Sequence, residues 1–345
     1  MKFKDVAYFG WQIMRMHLQP RFRVPLIVHI VLTNRCNSNC IYCRTHKLSQ
    51  QDVWTTDSLK EILAEMKQNG VRRIHFTGGE PMMRTDLGEL ITYAKRLGFF
   101  VGVTTNGYQV AKRINELKGI DVVFLSYDGP DQVHSRLRGE QNVEEVKSAL
   151  LALKSAGIQV WTTTVLTCWN VNFIEDIIDF ARQHHILANF NRLEFFSKPP
   201  AYLHPLIDEV QELVLRGDEK KKAFQKLIQL KSSGAPIGSS FAYLKNALEW
   251  PYDDRITDSK PSKLFECWAG RAGAHLETDG RLYACGWDVG MVSGVNVLKE
   301  GFKTAWEKIV PSNNCKSCSH ACNVESNLIF SLNISSILNA FIHLR

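Results

Sequence analysis

Three cysteines lie close together early in the chain, in the stretch TNRCNSNCIYCR. Cys36, Cys40 and Cys43 have the spacing Cys-x3-Cys-x2-Cys. Thiols this closely spaced, in a chain without a secretory signal, favour a metal centre over disulfide bonds. A structural zinc site would require a fourth ligand. Three cysteines on one loop instead suit a cubic iron-sulfur cluster with one open iron, with a zinc or purely electron-carrying site as the alternative.

Alternating strand and helix patterns surround this loop. The strand patterns cover residues 26–32, 73–76, 99–104, 122–126, 159–166 and 190–196. Helix patterns lie between them, at 56–69, 87–97, 108–118, 142–156 and 172–185. About six β/α units over residues 24–200 predict an α/β fold, a partial (β/α)6 TIM-like barrel.

Polar motifs follow the second, third and fourth predicted strands. They are a GGEP turn, a TTNG turn and an SYDG turn with an Arg-Gly pair beyond it. Their candidate binding residues are Gly78, Gly79, Glu80, Pro81, Thr104, Asn106, Ser126, Asp128 and Arg138. Glycines allow a backbone to approach a ligand closely. Because parallel barrels carry their chemistry at the carboxyl ends of the strands, we expect these motifs to form one site with the cysteine loop.

With these motifs in this order, residues 24–200 resemble the radical S-adenosylmethionine (SAM) superfamily, and Tyr42 matches the aromatic residue before its third cysteine. The resemblance implies that Cys36, Cys40 and Cys43 hold a [4Fe-4S] cluster whose open iron binds the amino and carboxylate groups of SAM. It also implies an electron donor, such as flavodoxin or ferredoxin. SAM would be cleaved to a 5'-deoxyadenosyl radical, which abstracts a hydrogen atom from the substrate.

The same resemblance assigns SAM contacts to the strand-end motifs. The GGEP backbone and its glutamate would orient the SAM amino group. Thr104 or Asn106 would lie near the ribose or the carboxylate. Ser126 and Asp128 would contact the ribose or the substrate, and Arg138 the SAM carboxylate.

Cys168 follows the fifth predicted strand, at the same end of the barrel. One interpretation is a half-buried apolar cysteine. The other is a hydrogen-atom donor that quenches the substrate radical from the face opposite abstraction, which would make the enzyme an epimerase. Cys168 is therefore a tentative catalytic residue.

Five further cysteines lie in the C-terminal third. Cys267 and Cys285 flank alternating residues around an Asp-Gly pair, a pattern that predicts a β-hairpin bringing the two thiols to one end. Cys315, Cys318 and Cys322 offer three more thiolates. Spacing does not decide which two of these complete a set of four, and four thiolates would also satisfy zinc.

Residues 263–326 are similar to the SPASM and twitch extensions of radical SAM enzymes, which hold auxiliary [4Fe-4S] clusters. Five cysteines fit a twitch-like single cluster better than the seven-cysteine SPASM pattern. The resemblance implies that Cys267 and Cys285 are ligands. Such a cluster either binds substrate through an open iron, accepts an electron from the substrate radical, or supports the fold. Four cysteine ligands would leave no open iron, which favours electron transfer or support of the fold.

Composition limits the class of partner. The 345 residues include 42 Lys+Arg against 35 Asp+Glu, a net charge of +7. This diffuse excess suits an anionic substrate or membrane surface and does not indicate nucleic acid. No apolar run reaches about eighteen residues, so we expect no membrane span. Clustered cysteines without a secretory signal imply a reducing cytoplasm.

The two ends of the chain are apolar. Residues 1–23 predict a cationic amphipathic helix with aromatic residues, and residues 327–345 predict an apolar helix. Residues 201–262 predict a helical connector, with a Lys-Pro-Pro stop at 198–200. The ends either pack on the barrel or a partner subunit, or lie peripherally on the inner face of a membrane.

The sequence predicts a radical SAM enzyme that modifies a small-molecule or lipid-like substrate in a biosynthetic step. The alternatives within the class are an epimerase and a peptide-modifying maturase, although we do not expect a separate peptide-binding domain before the barrel. Outside the class, the alternatives are a non-catalytic iron-sulfur electron-transfer protein and a zinc-stabilised membrane adaptor.

Overall fold

The computed structural model describes residues 3–45, 52–139, 142–196, 204–311 and 315–343. Parallel strands form its centre, and neighbours in the sheet are also neighbours along the chain. They are β1 (Ile27–Val31), β2 (Arg73–Thr77), β3 (Phe100–Thr105), β4 (Val122–Ser126), β5 (Val160–Leu166) and β6 (Leu187–Arg192). This order confirms the predicted partial (β/α)6 barrel.

Helices precede the barrel and connect its strands. They are α1 (Phe3–Leu18), α2 (Thr56–Gln68), α3 (Leu87–Arg96), α4 (Asp131–Arg138), α5 (Val143–Ser155) and α6 (Ile174–Gln183). Their apolar stripes face the strands, as in α2, where the buried residues follow helical spacing: Leu59, Ile62, Leu63 and Met66. The sequence predicts Thr56 or Asp57 as the cap of α2. The cap is instead Thr55, whose hydroxyl accepts the N–H of Ser58 at 3.1 Å.

The predicted sixth strand, 190–196, is wrong in position. The strand pairs with β5 from Leu187 to Arg192. Ala188 and Phe190 belong to the main core, whereas Phe195 and Phe196 enter a separate apolar cluster in the following loop. Both the strand and the loop that follows it contain apolar residues, so the hydrophobic pattern of the sequence did not separate them. The Lys-Pro-Pro stop at 198–200 lies outside the described residues.

Two other helix predictions differ from the structure. The segment 108–118 contains turns and a short 3-10 helix, Ile114–Leu117, rather than an α-helix. The helix α4 was not predicted, because its mostly polar sequence DQVHSRLR carries little apolar periodicity.

The predicted C-terminal hairpin forms, and it joins the barrel sheet. The shorter described strands are β7 (Thr257–Asp258), β8 (Gly273–Leu276), β9 (Arg281–Tyr283), β10 (Val295–Asn296) and β11 (Ser317–Cys318). β8 and β9 pair antiparallel, and β8 also pairs parallel with β1. The sheet order is therefore β10-β9-β8-β1-β2-β3-β4-β5-β6. The cysteine-rich region is thus built directly onto the first strand.

The remaining described helices are α7 (Ile207–Val210), α8 (Gly217–Ser232), α9 (Phe241–Glu249), α10 (Val297–Lys308), α11 (Ala321–Phe330) and α12 (Ile334–His343). α11 contacts β6, and its Asn327 side chain accepts the N–H of Trp268 at 2.9 Å. It therefore connects β6 to the segment before β8. The predicted single helix 327–345 is wrong, since the chain turns at Ser331–Asn333, where Leu332 has a φ of 60°. Leu344 and Arg345 lie outside the described residues.

Candidate active site

The three cysteines after β1 lie together on one loop. The pKa of Cys40 is raised to about 12, mainly by burial and also by the neighbouring thiols Cys43 and Cys36, while Arg138 lowers it. The Cys36 sulfur accepts the N–H of Ser38 at 3.4 Å. Hydrogen bonds of this kind orient and tune sulfur ligands in iron-sulfur sites. The donor set therefore suits a cluster.

The GGEP turn after β2 is fastened to the backbone of this loop. The N–H of Gly79 donates to the carbonyl of Thr33 at 2.7 Å. A Cβ on Gly79 would lie 2.2 Å from the carbonyl oxygen of Arg35. Gly78 has a φ of 138°, and a Cβ on it would lie 2.4 Å from the carbonyl oxygen of Thr33. Only glycine fits at both positions, because the two backbones are in direct contact.

Glu80, the third residue of that turn, is buried and already bonded within the protein. Its carboxylate accepts the N–H of Met82 at 2.9 Å, the hydroxyl of Thr105 at 2.8 Å and the N–H of Asn106 at 2.7 Å. The Asn106 amide in turn donates to the Ser38 hydroxyl at 2.9 Å. Burial raises the pKa of Glu80. These bonds tie the end of β3 to the cysteine loop, and the SAM contacts of Glu80 and Asn106 stay predictions. Pro81 begins the short 3-10 helix that follows.

Asp128, after β4, is the hub of a second buried network. Its carboxylate accepts the Tyr42 hydroxyl at 2.5 Å, the Arg138 Nε–H at 2.7 Å and the Val165 N–H at 2.9 Å. Burial opposes the charge on Arg138, but Asp128 raises the Arg138 pKa above its ordinary value. Asp128 therefore joins the cysteine loop, α4 and β5. The SAM or substrate contacts of Asp128, Arg138 and the buried Ser126 stay predictions.

Four of the C-terminal cysteines form a second group. Burial raises the pKa of Cys285, and Asp288, Cys315 and Cys267 raise it further. Burial also raises the pKa of Cys318, with added contributions from Cys315 and Cys267. Thiols that influence one another in this way lie close together. The hairpin and β11 therefore bring four thiols to one place.

Cys322 lies on the first turn of α11, next to Asn323, whose amide donates to the Cys285 sulfur at 3.0 Å. The surrounding protein raises the pKa of Cys322 to about 12 by desolvation, Glu194 also raises it, and Arg73 lowers it. The charges that act on Cys322 are thus carboxylates and a guanidinium rather than the four grouped thiols.

Within the described ranges, no three His, Cys, Asp or Glu side chains are placed to chelate a single metal ion. A tetrahedral zinc site brings all its ligands to one atom. In a [4Fe-4S] cluster each thiolate binds a different iron, so the sulfurs stand farther apart. Within the described residues, the two cysteine groups are not arranged around a single metal atom.

One cavity of about 330 Å³ is bordered by both groups. Cys43 lines it from the first loop, and the C-terminal group lines it through Cys267, Cys285, Cys315 and Cys318. Cys322 is also part of its wall. The cavity therefore places the two cysteine groups at the walls of one internal space.

A row of histidines from three adjacent strands lines this cavity. His29 in β1 is in register with His75 in β2 and with His275 in β8. The His75 Nε2 lies 2.8 Å from the Thr104 hydroxyl, which also faces the cavity. A Cβ on Gly102 would lie 2.7 Å from the His75 Nδ1, so glycine makes room for the ring. Burial lowers the pKa of His75 to about 3 and that of His29 well below its usual value, which keeps both rings neutral.

A carboxylate between two imidazoles forms another part of the wall. Glu194 Oε1 lies 3.0 Å from His320 Nε2, and Oε2 lies 3.3 Å from His204 Nε2. The His320 Nδ1 accepts the N–H of Asn323, so its Nε2 carries the proton that points at Glu194. His204 stacks on Trp287 with ring centroids 4.9 Å apart. Sequence reasoning missed this cluster because its members come from three distant segments.

Cys168 is placed differently from the predicted hydrogen donor. Its thiol lies 3.1 Å from the Val214 carbonyl and 3.5 Å from Glu219, and it is not part of the cavity wall described above. Burial raises its pKa to about 11, and Glu219 raises it further. The structure does not bring Cys168 to the cavity, and its donor role stays a prediction.

From this placement, we expect Cys168→Ala to leave SAM consumption and product formation unchanged within about twofold. A substitution of an exposed or half-buried residue outside the site usually has only a small effect on stability. Chromatography of the reaction products would measure both quantities. Cys168→Ser provides the matched control for packing. A variant that consumes SAM but stalls or scrambles the product would instead support the donor role.

Comparison with known proteins shows what these features are similar to. Residues 30–183 match the model of the radical SAM superfamily. Over 186 residues the chain is 31% identical to a probable GTP 3',8-cyclase of Methanococcus maripaludis, covering 52% of this chain and 62% of that relative. Over 168 residues it is 31% identical to a PqqA peptide cyclase of Streptomyces rochei, covering 47% of this chain and 46% of that relative. The chain thus spans about half to three fifths of these relatives.

Solved structures share the fold over most of the chain. SuiB of Streptococcus suis, bound to SAM, aligns with a TM-score of 0.66 at 16% identity, over 86% of this chain and 69% of SuiB. anSMEcpe, bound to SAM and the Cp18Cys peptide, aligns with a TM-score of 0.59 at 18% identity, over 93% of this chain and 98% of that protein.

The described helices include none that is long and apolar enough to cross a bilayer. The cysteine loop, the GGEP turn fastened to it and the parallel half-barrel agree with the match over residues 30–183. Residues 30–183 thus carry the similarity of this chain to the radical SAM superfamily.

Proposed function

We propose that this chain is a radical SAM enzyme with one auxiliary cluster. Cys36, Cys40 and Cys43 hold the [4Fe-4S] cluster that binds SAM, and the four grouped C-terminal thiols hold a second one. The observation that carries the proposal is the single cavity bordered by both cysteine groups. A substrate in that cavity lies between the site of radical formation and a possible electron acceptor.

The protein's own residues would position the reactants. When bound, the cluster and SAM supply a 5'-deoxyadenosyl radical, with the electron coming from a donor such as flavodoxin or ferredoxin. The GGEP turn and the Asp128 network hold the cysteine loop in place. The neutral imidazoles of His29 and His75 and the Glu194 carboxylate offer hydrogen-bonding groups to a polar substrate. Fixing the substrate in one orientation is the main task of such a wall.

We propose a peptide or protein segment as the substrate, in place of the predicted small molecule or lipid. PqqA peptide cyclases are among the relatives, and the solved structures with this fold include SuiB bound to its precursor peptide SuiA and anSMEcpe bound to a peptide. A cavity of about 330 Å³ is at the small end of ligand pockets and would hold one or two side chains rather than a long peptide. The peptide would therefore insert only a short segment.

A small-molecule substrate is the second candidate, favoured by the relation to GTP 3',8-cyclases. The two candidates are separated by supplying the anaerobically reconstituted protein with SAM, a strong reductant and cell-extract fractions, and measuring 5'-deoxyadenosine. We expect the peptide fraction to raise its formation, and protease treatment of that fraction to remove the effect. Stimulation by the small-metabolite or lipid fraction alone, insensitive to protease, would contradict the peptide proposal.

The ligand assignment of the auxiliary site gives a matched pair of variants. Cys318→Ala should reduce bound iron from about eight to about four atoms per chain, because it removes a ligand of the second [4Fe-4S] cluster. Cys322→Ala should leave the iron content unchanged, because Glu194 and Arg73, rather than the grouped thiols, are the charges that influence Cys322 most. Iron analysis with electron paramagnetic resonance checks both. Loss of the second cluster in Cys322→Ala, with retention in Cys318→Ala, would reverse the assignment.

A further inference from the structure

The helix α12 is attached to the protein by its polar side. The buried Ser336 hydroxyl, only 1% exposed, lies 3.3 Å from that of Ser240. The Asn339 amide donates to the Gly238 carbonyl at 2.8 Å and accepts from the Lys231 ammonium at 3.1 Å. A surface helix of a soluble protein normally turns its apolar stripe toward the core. In α12, polar side chains make these inward contacts.

The outward side of α12 is apolar. Ile334 is 73% exposed and Ile342 is 69% exposed, with Leu338 and Phe341 exposed between them. These four residues are at positions i, i+4, i+7 and i+8, which fall on one stripe of a helix. Isolated exposed apolar residues are common, but a continuous stripe marks an interaction surface.

The helix α1 adds a second exposed apolar stripe. Trp11, Met14 and Leu18 are exposed at positions i, i+3 and i+7, and Leu18 reaches 76% exposure. α1 contacts the end of α11, the helix that leads into α12: the His17 Nε2 lies 2.9 Å from the carbonyl of Phe330, four residues before α12. Leu332, in the turn between α11 and α12, is also exposed.

The charge beside the α1 stripe is positive. Lys4, Arg15 and Arg21 are exposed, and Asp5 is the one acidic residue in the described range 3–23. The described side chains of α12, residues 334–342, include no acidic group. Exposed apolar side chains next to basic ones are typical of helices that lie in the interface of an anionic membrane.

We propose that these stripes form one membrane-docking face for an anionic bilayer surface. We call it the α1–α12 face, formed by Trp11, Met14, Leu18, Ile334, Leu338, Phe341 and Ile342. The apolar side chains enter the boundary between headgroups and acyl chains, and the basic residues contact lipid phosphates. This proposal does not depend on the proposed catalytic function.

The test uses the full reconstituted protein and vesicles of phosphatidylcholine, with or without phosphatidylglycerol. We expect the protein to co-sediment with the anionic vesicles at low salt, and less at high salt, because exposed charges are screened. Leu338→Glu combined with Ile342→Glu should reduce the bound fraction at least about tenfold, since both side chains would have to enter the interface.

The matched control is Leu151→Glu on α5, because Leu151 is 57% exposed and Leu338 is 55% exposed. This control should bind vesicles like the wild type. Iron content and circular dichroism check that all variants fold. Absence of wild-type binding to anionic vesicles would overturn the proposal. So would a dimer, seen by light scattering, that the α12 double variant dissociates while vesicle binding is unaffected.

Discussion

Replacing Cys36, Cys40 and Cys43 together by alanine is expected to abolish 5'-deoxyadenosine formation while leaving about four of about eight iron atoms per chain. The three thiols are the ligands of the cluster that binds SAM, so no electron can reach SAM without them. The C-terminal thiols lie on other segments, on either side of the β8–β9 hairpin and in or just before β11, and should keep their own cluster. Product chromatography and iron analysis measure the two effects.

The matched control for the triple variant is Cys322→Ala, which removes a cavity thiol that we assign to neither cluster. It should retain both clusters and the cleavage of SAM. A triple variant that contains no iron at all would contradict the existence of two separate sites. A triple variant that still forms 5'-deoxyadenosine would contradict the assignment of the first one.

Asp128→Ala is expected to destabilise the folded protein by about 3–5 kcal/mol, the range found when one partner of a buried ion pair is removed. The variant leaves the Arg138 guanidinium buried without its carboxylate, and it leaves the Tyr42 hydroxyl and the Val165 N–H without their acceptor. Because Tyr42 precedes Cys43, the cysteine loop should also lose its alignment. Thermal unfolding of the anaerobic protein and SAM cleavage measure the two effects.

Glu144→Ala is the control for the loss of an ion pair as such. Glu144 pairs with Lys147 at 2.6 Å on the exposed side of α5, where such pairs contribute less than about 1 kcal/mol. A loss of stability in Asp128→Ala no larger than that of Glu144→Ala would show that the Asp128 network does not support the fold. The loss of stability in Asp128→Asn should be intermediate between those of Asp128→Ala and Glu144→Ala, because asparagine keeps an acceptor oxygen but not the charge.

The parts of the site that are local in sequence could be predicted. The spacing of Cys36, Cys40 and Cys43, and the order of the turns behind successive strands, depend on residues a few positions apart. The Gly78-Gly79 pair also predicted a close backbone approach, although the structure assigns that approach to the protein's own cysteine loop. The half-barrel followed from the alternation of strand and helix patterns.

The wall of the cavity could not be predicted, because it depends on register and on distant segments. A histidine occupies the middle of three strands, in IVHIV, RIHFT and GAHL, but only the pairing of β8 with β1 aligns the third with the other two. Likewise, Glu194 and His320 are far apart in sequence and meet only because α11 lies beside β6. The outward orientation of the apolar side of α12 was also not fixed by composition, since the same stripe would suit a core helix.

The measurement that tests the central claim most directly is the cleavage of SAM by the wild-type protein, reconstituted anaerobically with iron and sulfide and supplied with a strong reductant. We expect 5'-deoxyadenosine to form, and its formation to require the cluster held by Cys36, Cys40 and Cys43. A protein that carries both clusters and binds SAM, yet forms no 5'-deoxyadenosine with or without substrate fractions, would contradict this account and indicate an electron-transfer protein.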